Sequence, residues 1–455
     1  MSEVEGAIKY ARERNASFLD ELKEIVSIPS ISTSPEHKSE VLRAAEWMAS
    51  HLRELGMTRA ELMPTRGHPV VYGEWLGAGK DRPTVLVYGH YDVQPEDPLE
   101  LWETPPFTPV VRGDRLLGRG TSDMKGQVVA SMKAVESVAR TSGCPVNLKW
   151  LIEGEEEIGS ENLGDFIQEH AALLKADVSL NPDAGMIAAD LPTITYGLRG
   201  LCYMELRVYG PERDLHSGLF GGVVHNPAQA LVELVAGMHD SEGRVTLPGF
   251  YDKVRDLTAA ERTEMARLPT NDAYYLAQTG APALWGEPGY LPSERVGARP
   301  TLEVNGLLSG FTGPGSKTVL PAWAMAKVSC RLVPDQTPAE TFEQAKAYLQ
   351  TKAPKDIRWE LKSLHHSGTA VTDTKSPSVQ AMVDALETTW GKRPLFRREG
   401  GSIGAVVQLQ EHVGVESILT GFGLPEDNIH SPNESLHLPT WRKGIEALIR
   451  YLYNM

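Results

Sequence analysis

Residues 83–92 read PTVLVYGHYD, a short apolar run of buried-strand character that stops on Gly89, His90, Tyr91 and Asp92. Runs of the same kind, bounded by Gly, Pro or Asp, recur at 69–76, 146–152 and 176–180, while helical periodicity fills 124–140 and 160–174. Alternation of this sort predicts an α/β sheet with helices on its faces. In such sheets ligands bind beyond the carboxyl ends of the strands, so chemistry is expected where each run stops.

Upstream, Val4, Ile8, Ala11, Leu19, Leu22 and Ile25 make one helical face that Pro29 stops, and Ser34-Pro35 opens a second helix closed by Gly56. From about residue 200 the style changes. In LCYMELRVY (201–209), Cys202, Met204, Leu206 and Val208 face one way and Tyr203, Glu205 and Arg207 the other, as in a half-buried strand. A helix at 227–239, strands near 301–307 and 323–333, a helix at 338–352 with the capping-box sequence Thr337-Pro338-Ala339-Glu340, and a strand at 356–364 complete the order βαββαβ. This split βαβ, ferredoxin-like unit closes as its own domain. After about 367 the first style resumes, with a Ser376-Pro377 helix start, a strand at 415–420 and a helix at 440–453. The expected division is therefore 1–198 and 367–455 as two parts of one catalytic domain, with 199–366 inserted between them. Segment 240–300, rich in Pro, Gly and helix fragments, is the least placed.

Composition excludes several classes. At 41% hydrophobic and 23% charged residues the chain is an ordinary globular protein, not a disordered or fibrous one. Its formal charge of -15, from 45 basic and 60 acidic residues without a basic cluster, argues against nucleic acid and anionic membranes as partners. No apolar run approaches the roughly 20 residues of a membrane span, and the amino terminus has no signal-like apolar region. Cys144, Cys202 and Cys330, odd in number and far apart, predict reduced thiols in a cytoplasmic protein.

At the expected strand ends stand residues that carry chemistry. His90 and Asp92 share one side of their strand, where the carboxylate can orient the imidazole. Gly120-Thr121-Ser122-Asp123 opens a helix, Gly154-Glu155-Glu156-Glu157 and Asn181-Pro182-Asp183 follow two more strands, and Asn428-Ile429-His430 follows the strand at 415–420. Singly, Asp123 reads more readily as a helix cap, the glutamates as a solvated first turn and a lone histidine as structural. Together, carboxylates crowded at one sheet end repel unless cations neutralise them. Histidine nitrogen and carboxylate oxygen without thiolate suit Zn²⁺ or Mn²⁺. One carboxylate can bridge two ions about 3.5–4 Å apart with a hydroxide between them, and adjacent glutamates can divide ligation from proton transfer.

The motifs GHYDVQP, GRGTSDMKG, EGEEEIGS, DLHSG, GSKTVLP, SCRLVP, EGGSIG and IHSPNE, in order over nearly the whole chain, resemble those of the co-catalytic zinc exopeptidase family of carnosinase and cytosolic non-specific dipeptidase. Acetylornithine deacetylase and succinyl-diaminopimelate desuccinylase are more distant members. The resemblance implies a zinc-exopeptidase-like catalytic domain with a mixed sheet, and an insert that serves as lid and dimerisation module. It implies that His90, Asp123 and Asp183 hold one metal and Asp123, Glu157 and His430 the other, with Glu156 as general base and Asp92 as the partner of His90. It further implies that His216 and Thr318 enter a neighbouring subunit's site in a homodimer, where His216 helps polarise the scissile carbonyl, and that Arg331 and Ser402 hold the substrate's carboxylate. The long insert resembles the dipeptidase branch more than the deacylase branch. The expectation is a two-metal hydrolase of amide bonds in small substrates, foremost a dipeptidase, with an N-acyl-amino-acid deacylase of the same family as the alternative.

Two readings of other classes compete. Gly400-Gly401-Ser402-Ile403-Gly404 fits the nucleophile elbow of serine hydrolases, with Asp427, His430 and His437 downstream in the required order. Yet Arg397-Arg398-Glu399 stands where a strand is needed, and the acids at the other strand ends go unexplained. A non-catalytic, metal-stabilised binding protein is the other, and Glu156, which a structural metal site does not require, counts against it. Gly310 to Thr318 imitates a P-loop but places Ser316 between the second glycine and Lys317, so that spacing fails.

Overall fold

The run at 84–90 is a strand buried on both faces, and the other apolar runs are its neighbours in one sheet. In the computed structural model, which describes residues 2–455, the sheet order is 59–63, 70–75, 147–153, 84–90, 178–181, 417–419 and 193–198. The four strands from 147–153 through 417–419 are parallel, and antiparallel pairings on either side make the sheet mixed. Helix Lys125–Ala139 is buried almost throughout, because its sequence is apolar or small on nearly every face, and it packs against Leu438–Asn454. This unit comprises the chain up to Tyr196, Thr372–Phe396 and Gly404–Met455.

The second unit is Gly197–Val371 with Arg397–Ile403. Its four antiparallel strands lie in the order 301–309, 323–332, 200–209 and 358–367, the arrangement of a ferredoxin-like βαββαβ fold. Helices Pro227–Ala236 and Pro338–Lys352 pack against this sheet. Cys202, Met204, Leu206 and Val208 point into the core that they share with Leu231, Leu234, Tyr348 and Leu349, which is the consequence of the period-two pattern. Relative to the boundaries 199 and 366 read from sequence, the unit gains a few residues at each end and recruits 397–403 from the last third of the chain.

Several local expectations need correction. The first long helix is two, Glu3–Glu13 and Asn15–Val26, broken at Arg14, and the run at 160–174 is broken at His170. A strand, Leu395–Glu399, does precede the Gly400 stretch, its arginines finding partners in Glu399 and Glu261. Thr337 caps the Glu340 N–H at 3.3 Å, but the Glu340 carboxylate meets the Thr337 hydroxyl, so the box is only half formed. Segment 240–300 holds three short helices, 259–265, 272–279 and 292–298, and a buried Arg299–Glu287 ion pair at 2.6 Å. Among the described residues no helix is long and apolar enough to cross a membrane.

All three cysteines are unpaired. Burial pushes the Cys144 and Cys202 thiols up to about 11 and Cys330 well above its usual value. Little thiolate is then present at neutral pH. Iodoacetamide should leave native protein essentially unmodified at pH 7.5 and add three groups after denaturation, as counted by intact mass; rapid native labelling of Cys202 or Cys330 would contradict this packing.

Candidate metal centre

Parallel register delivers the site. His90 is the last residue of its strand and lies opposite Glu153, the last residue of the next. The chain then turns through Glu156–Ile158, while Asp183 follows the strand ending at Asn181. Asp123 comes from the loop before the buried helix, and His430 from a loop in which it adopts φ 58°. A left-handed conformation is costly for histidine and persists only where the surroundings impose it.

Asp123 lies between the two histidines. His90 Nε2 is 3.2 Å from Asp123 Oδ1 and 4.0 Å from Asp183 Oδ1; His430 Nε2 is 2.9 Å from Asp123 Oδ2 and 3.2 Å from Glu157 Oε2. Two candidate ligand groups result, His90–Asp123–Asp183 and Asp123–Glu157–His430, each with its donor atoms within 4.8 Å of one another. Electrostatics register the crowding. Burial, reinforced by Asp123, Glu156 and Glu157 and opposed by His90, pushes the Asp183 carboxyl well above its usual range. Burial likewise lifts Glu156 to about 7, with His90 opposing and Glu157, Asp123 and Asp92 adding to it. Hydrogen bonds to Asp123 and Glu157 lift His430 to about 10. Without cations the acids must hold protons or lean on charged imidazoles; an oxygen-and-nitrogen donor set in this state fits divalent ions.

Neighbouring groups fix these side chains. Asp92 Oδ1 lies 3.4 Å from His90 Nδ1, as the alternation of the strand predicts. The same carboxylate also accepts the N–H groups of Glu156 at 3.3 Å and Glu157 at 3.1 Å, a second task invisible in the sequence. Gln94 donates to Glu157 Oε2 at 2.8 Å. It stands in the GHYDVQP stretch, where in sequence an amide reads only as a loop residue. Glu155 turns away, accepting the His68 N–H and the Asn162 amide. Among the described residues no hydrogen bond holds the Glu156 carboxylate, although the residue is half-buried.

The remaining four candidates belong to the second unit, in two pairs. His216 and Val319 face each other in a two-stranded ribbon, and Ser217 N–H donates to the Thr318 carbonyl at 3.0 Å. The exposed His216 ring accepts the Gly218 N–H on Nδ1 at 3.0 Å, which leaves the proton of the neutral imidazole on Nε2. Arg331 Nη1 donates to Ser402 Oγ at 3.4 Å. The serine-hydrolase reading loses its acid and its bases. Asp427 is spent on Ser122, the Leu424 N–H and Arg115, His437 on Asp114, and His430 on Asp123.

A mixed α/β sheet with two acid-and-histidine groups at its carboxyl edge defines a hydrolase of the metallopeptidase class. Residues 86–454 match Peptidase family M20/M25/M40, and the chain belongs to that family. It is 32% identical over 462 residues to Cys-Gly metallodipeptidase dug1 of Schizosaccharomyces pombe, covering 97% of this chain and 96% of the relative. It is 29% identical to the Homo sapiens Beta-Ala-His dipeptidase, covering 99% and 92%. Among solved structures, the M20 family metallo-carboxypeptidase Sso-CP2 of Sulfolobus solfataricus superposes with a TM-score of 0.84 at 33% identity, over 96% of this chain and 98% of that one.

Because Asp123 contributes to both groups, Asp123→Ala should lose both ions, whereas Asp183→Ala and His430→Ala should each retain about one. Elemental analysis after dialysis against limiting Mn²⁺ or Zn²⁺ reads this directly. Two ions retained by Asp123→Ala would rule out a shared ligand.

Proposed function

We propose that the protein is a dipeptidase that uses two divalent ions, Zn²⁺ or Mn²⁺, held by His90, Asp123 and Asp183 and by Asp123, Glu157 and His430. The observation that carries this reading is Glu156. It is a half-buried carboxylate beside both ligand groups, lifted to about 7, and among the described residues no hydrogen bond occupies it. When bound, the ions supply Lewis-acid polarisation of the scissile carbonyl and a water acidic enough to be deprotonated near neutral pH. Glu156 takes the proton from the attacking water and passes it to the leaving nitrogen, so that one water is consumed and one acid and one amine are formed. A pKa near the working pH suits a group that must accept and then release a proton. Asp92 keeps Glu156 and Glu157 in place through their backbone N–H groups while it orients His90.

His216, with its proton on Nε2, donates to the carbonyl oxygen as negative charge develops there, across a homodimer; Thr318 stands beside it on the same ribbon. Exposed Leu219 and Val223, which follow His216 in the chain, are apolar surface of the kind a partner subunit covers. Arg331 and Ser402 receive the substrate's carboxylate. Three unpaired thiols agree with a reducing, cytoplasmic setting. The relatives named dipeptidases support a dipeptide substrate, while the named metallo-carboxypeptidase favours a second reading in which longer peptides are trimmed from the carboxyl end. Both readings need a free substrate carboxylate at Arg331. Cys-Gly and β-Ala-His assayed beside a tripeptide, an N-acetylated dipeptide and a carboxyl-amidated dipeptide separate them, with Zn²⁺ and Mn²⁺ supplied in turn.

Chelation should abolish hydrolysis, divalent ions should restore it, and a serine-directed phosphonate should leave activity intact. Glu156→Gln should keep about two ions and lose on the order of 10²–10⁴ in kcat, since an amide cannot accept the proton. Loss of metal along with activity would make Glu156 a ligand instead.

The crossed-subunit role of His216 has its own test. Glu156→Gln and His216→Ala chains, each nearly inactive alone, should recover about a quarter of wild-type activity when refolded together. Half the dimers are then mixed and each has one intact site of two. If His216 serves its own chain, every site carries a lesion and nothing returns; tagged chains verify the exchange.

A further inference from the structure

Outside the ligand sets, the least exposed charge cluster of the first unit is built on Glu434, which is 0% exposed. Its two oxygens accept four hydrogen bonds. Oε1 takes the N–H groups of Ser122 at 2.9 Å and Asp123 at 3.1 Å; Oε2 takes the Gly120 N–H at 2.9 Å and Arg119 Nη1 at 2.9 Å. Arg119 is itself buried and donates its other terminal nitrogen to the Pro95 carbonyl at 3.0 Å. A carboxylate so surrounded fixes the backbone of residues 120–123 through three N–H groups, because each donor would otherwise be left buried without an acceptor.

We infer that Glu434 is a positioning residue for the metal pair: it holds the backbone of Asp123 so that one carboxylate oxygen faces His90 and the other faces His430. Glu434 stands four residues after His430 in the same loop, so a single carboxylate ties the shared acid to the segment that supplies one of its histidines. The inference rests on the reading of Asp123 as the shared ligand. Through Asp123 it reaches both ion positions, whereas a group that braced one histidine would reach one. Asp427 offers the contrast. It is equally buried on the same segment, yet it accepts the Ser122 hydroxyl and the Leu424 N–H and makes no hydrogen bond to Asp123.

Glu434→Gln replaces one acceptor oxygen by a donor and sets it against two N–H donors. Competition between the full-length protein and a chromophoric chelator for Zn²⁺ should show both ions bound 10–100-fold more weakly, the range typical of groups that orient metal ligands. The Co²⁺-loaded variant should show a shifted visible spectrum, and KM at saturating metal should be unchanged. Asp427→Asn should lower the melting temperature with Zn²⁺ affinity within about threefold of wild type, as a purely structural contact does. If Glu434→Gln does not fold, Glu434→Asp keeps the charge one methylene short and should weaken both ions in the same direction by less. Wild-type Zn²⁺ affinity and an unaltered Co²⁺ spectrum in either folded variant overturn the inference. Failure of the underlying reading looks different, for Asp123→Ala would then bind both ions as wild type does.

Discussion

Mutual repulsion among Asp123, Glu156, Glu157 and Asp183 is the constraint on which the rest of the first unit depends. Two unit charges 4 Å apart interact by about 4 kcal/mol at an effective dielectric constant of 20, and several such pairs converge here. A fold of ordinary stability has little room for that cost. Raised carboxyl pKa values at Asp183 and Glu156, and raised imidazole values at His90 and His430, are the response of the protein without ions. Cations relieve the same strain without protonating the groups that chemistry needs as bases. The proposed catalytic arrangement and the tolerance of crowded acids are thus one problem with one solution.

Rigidity at this edge comes from the sheet. Parallel strands place successive carboxyl ends side by side, and His90 opposite Glu153 fixes where the glutamate turn begins. Asp92, in the same strand extension as His90, accepts both backbone N–H groups of that turn, so a histidine and two glutamates share one anchor. The buried helix Lys125–Ala139 holds Asp123 from the other side, and Lys125 is itself pinned by donating to the Ile25 and Ile28 carbonyls at 3.1 and 2.7 Å.

What the sequence made legible follows from range. Strands such as 84–90 and 178–181 show as short apolar runs because they are buried on both faces, and their ends are where ligand-type residues stop the run. The period-two pattern of 201–209 shows for the complementary reason, one buried face. Signals set by distant partners did not show. Strand Leu395–Glu399 reads as a loop because its end is charged, yet Glu399 and Glu261 satisfy those arginines. The three-residue strands 110–112, 115–117 and 435–437 are too short for any period, and the 428–433 loop places His430 through left-handed residues that no pattern announces. His430 shows in the sequence only as a histidine that follows the strand at 415–420, and its role as a ligand is what the motif resemblance implies.

The glutamate triplet shows how such long-range contacts assign chemistry to identical side chains. Glu155, Glu156 and Glu157 differ in sequence only by position, and a one-residue slip would exchange their tasks. The structure separates them by what each carboxylate touches. Glu155 is saturated by His68 and Asn162, a role of holding loops together. Glu157 is aimed by Gln94 and meets His430, the environment of a ligand. Glu156 is anchored through its backbone to Asp92 and, among the described residues, free of hydrogen bonds at its carboxylate, as the proposed proton acceptor has to be, since an oxygen already occupied by an N–H donor has lost both basicity and mobility. Burial then raises its proton affinity toward neutral pH. Position in the chain supplies three glutamates, and the turn after one strand, clamped by the aspartate just beyond the end of another, decides which carboxylate is left open for the proposed proton transfer.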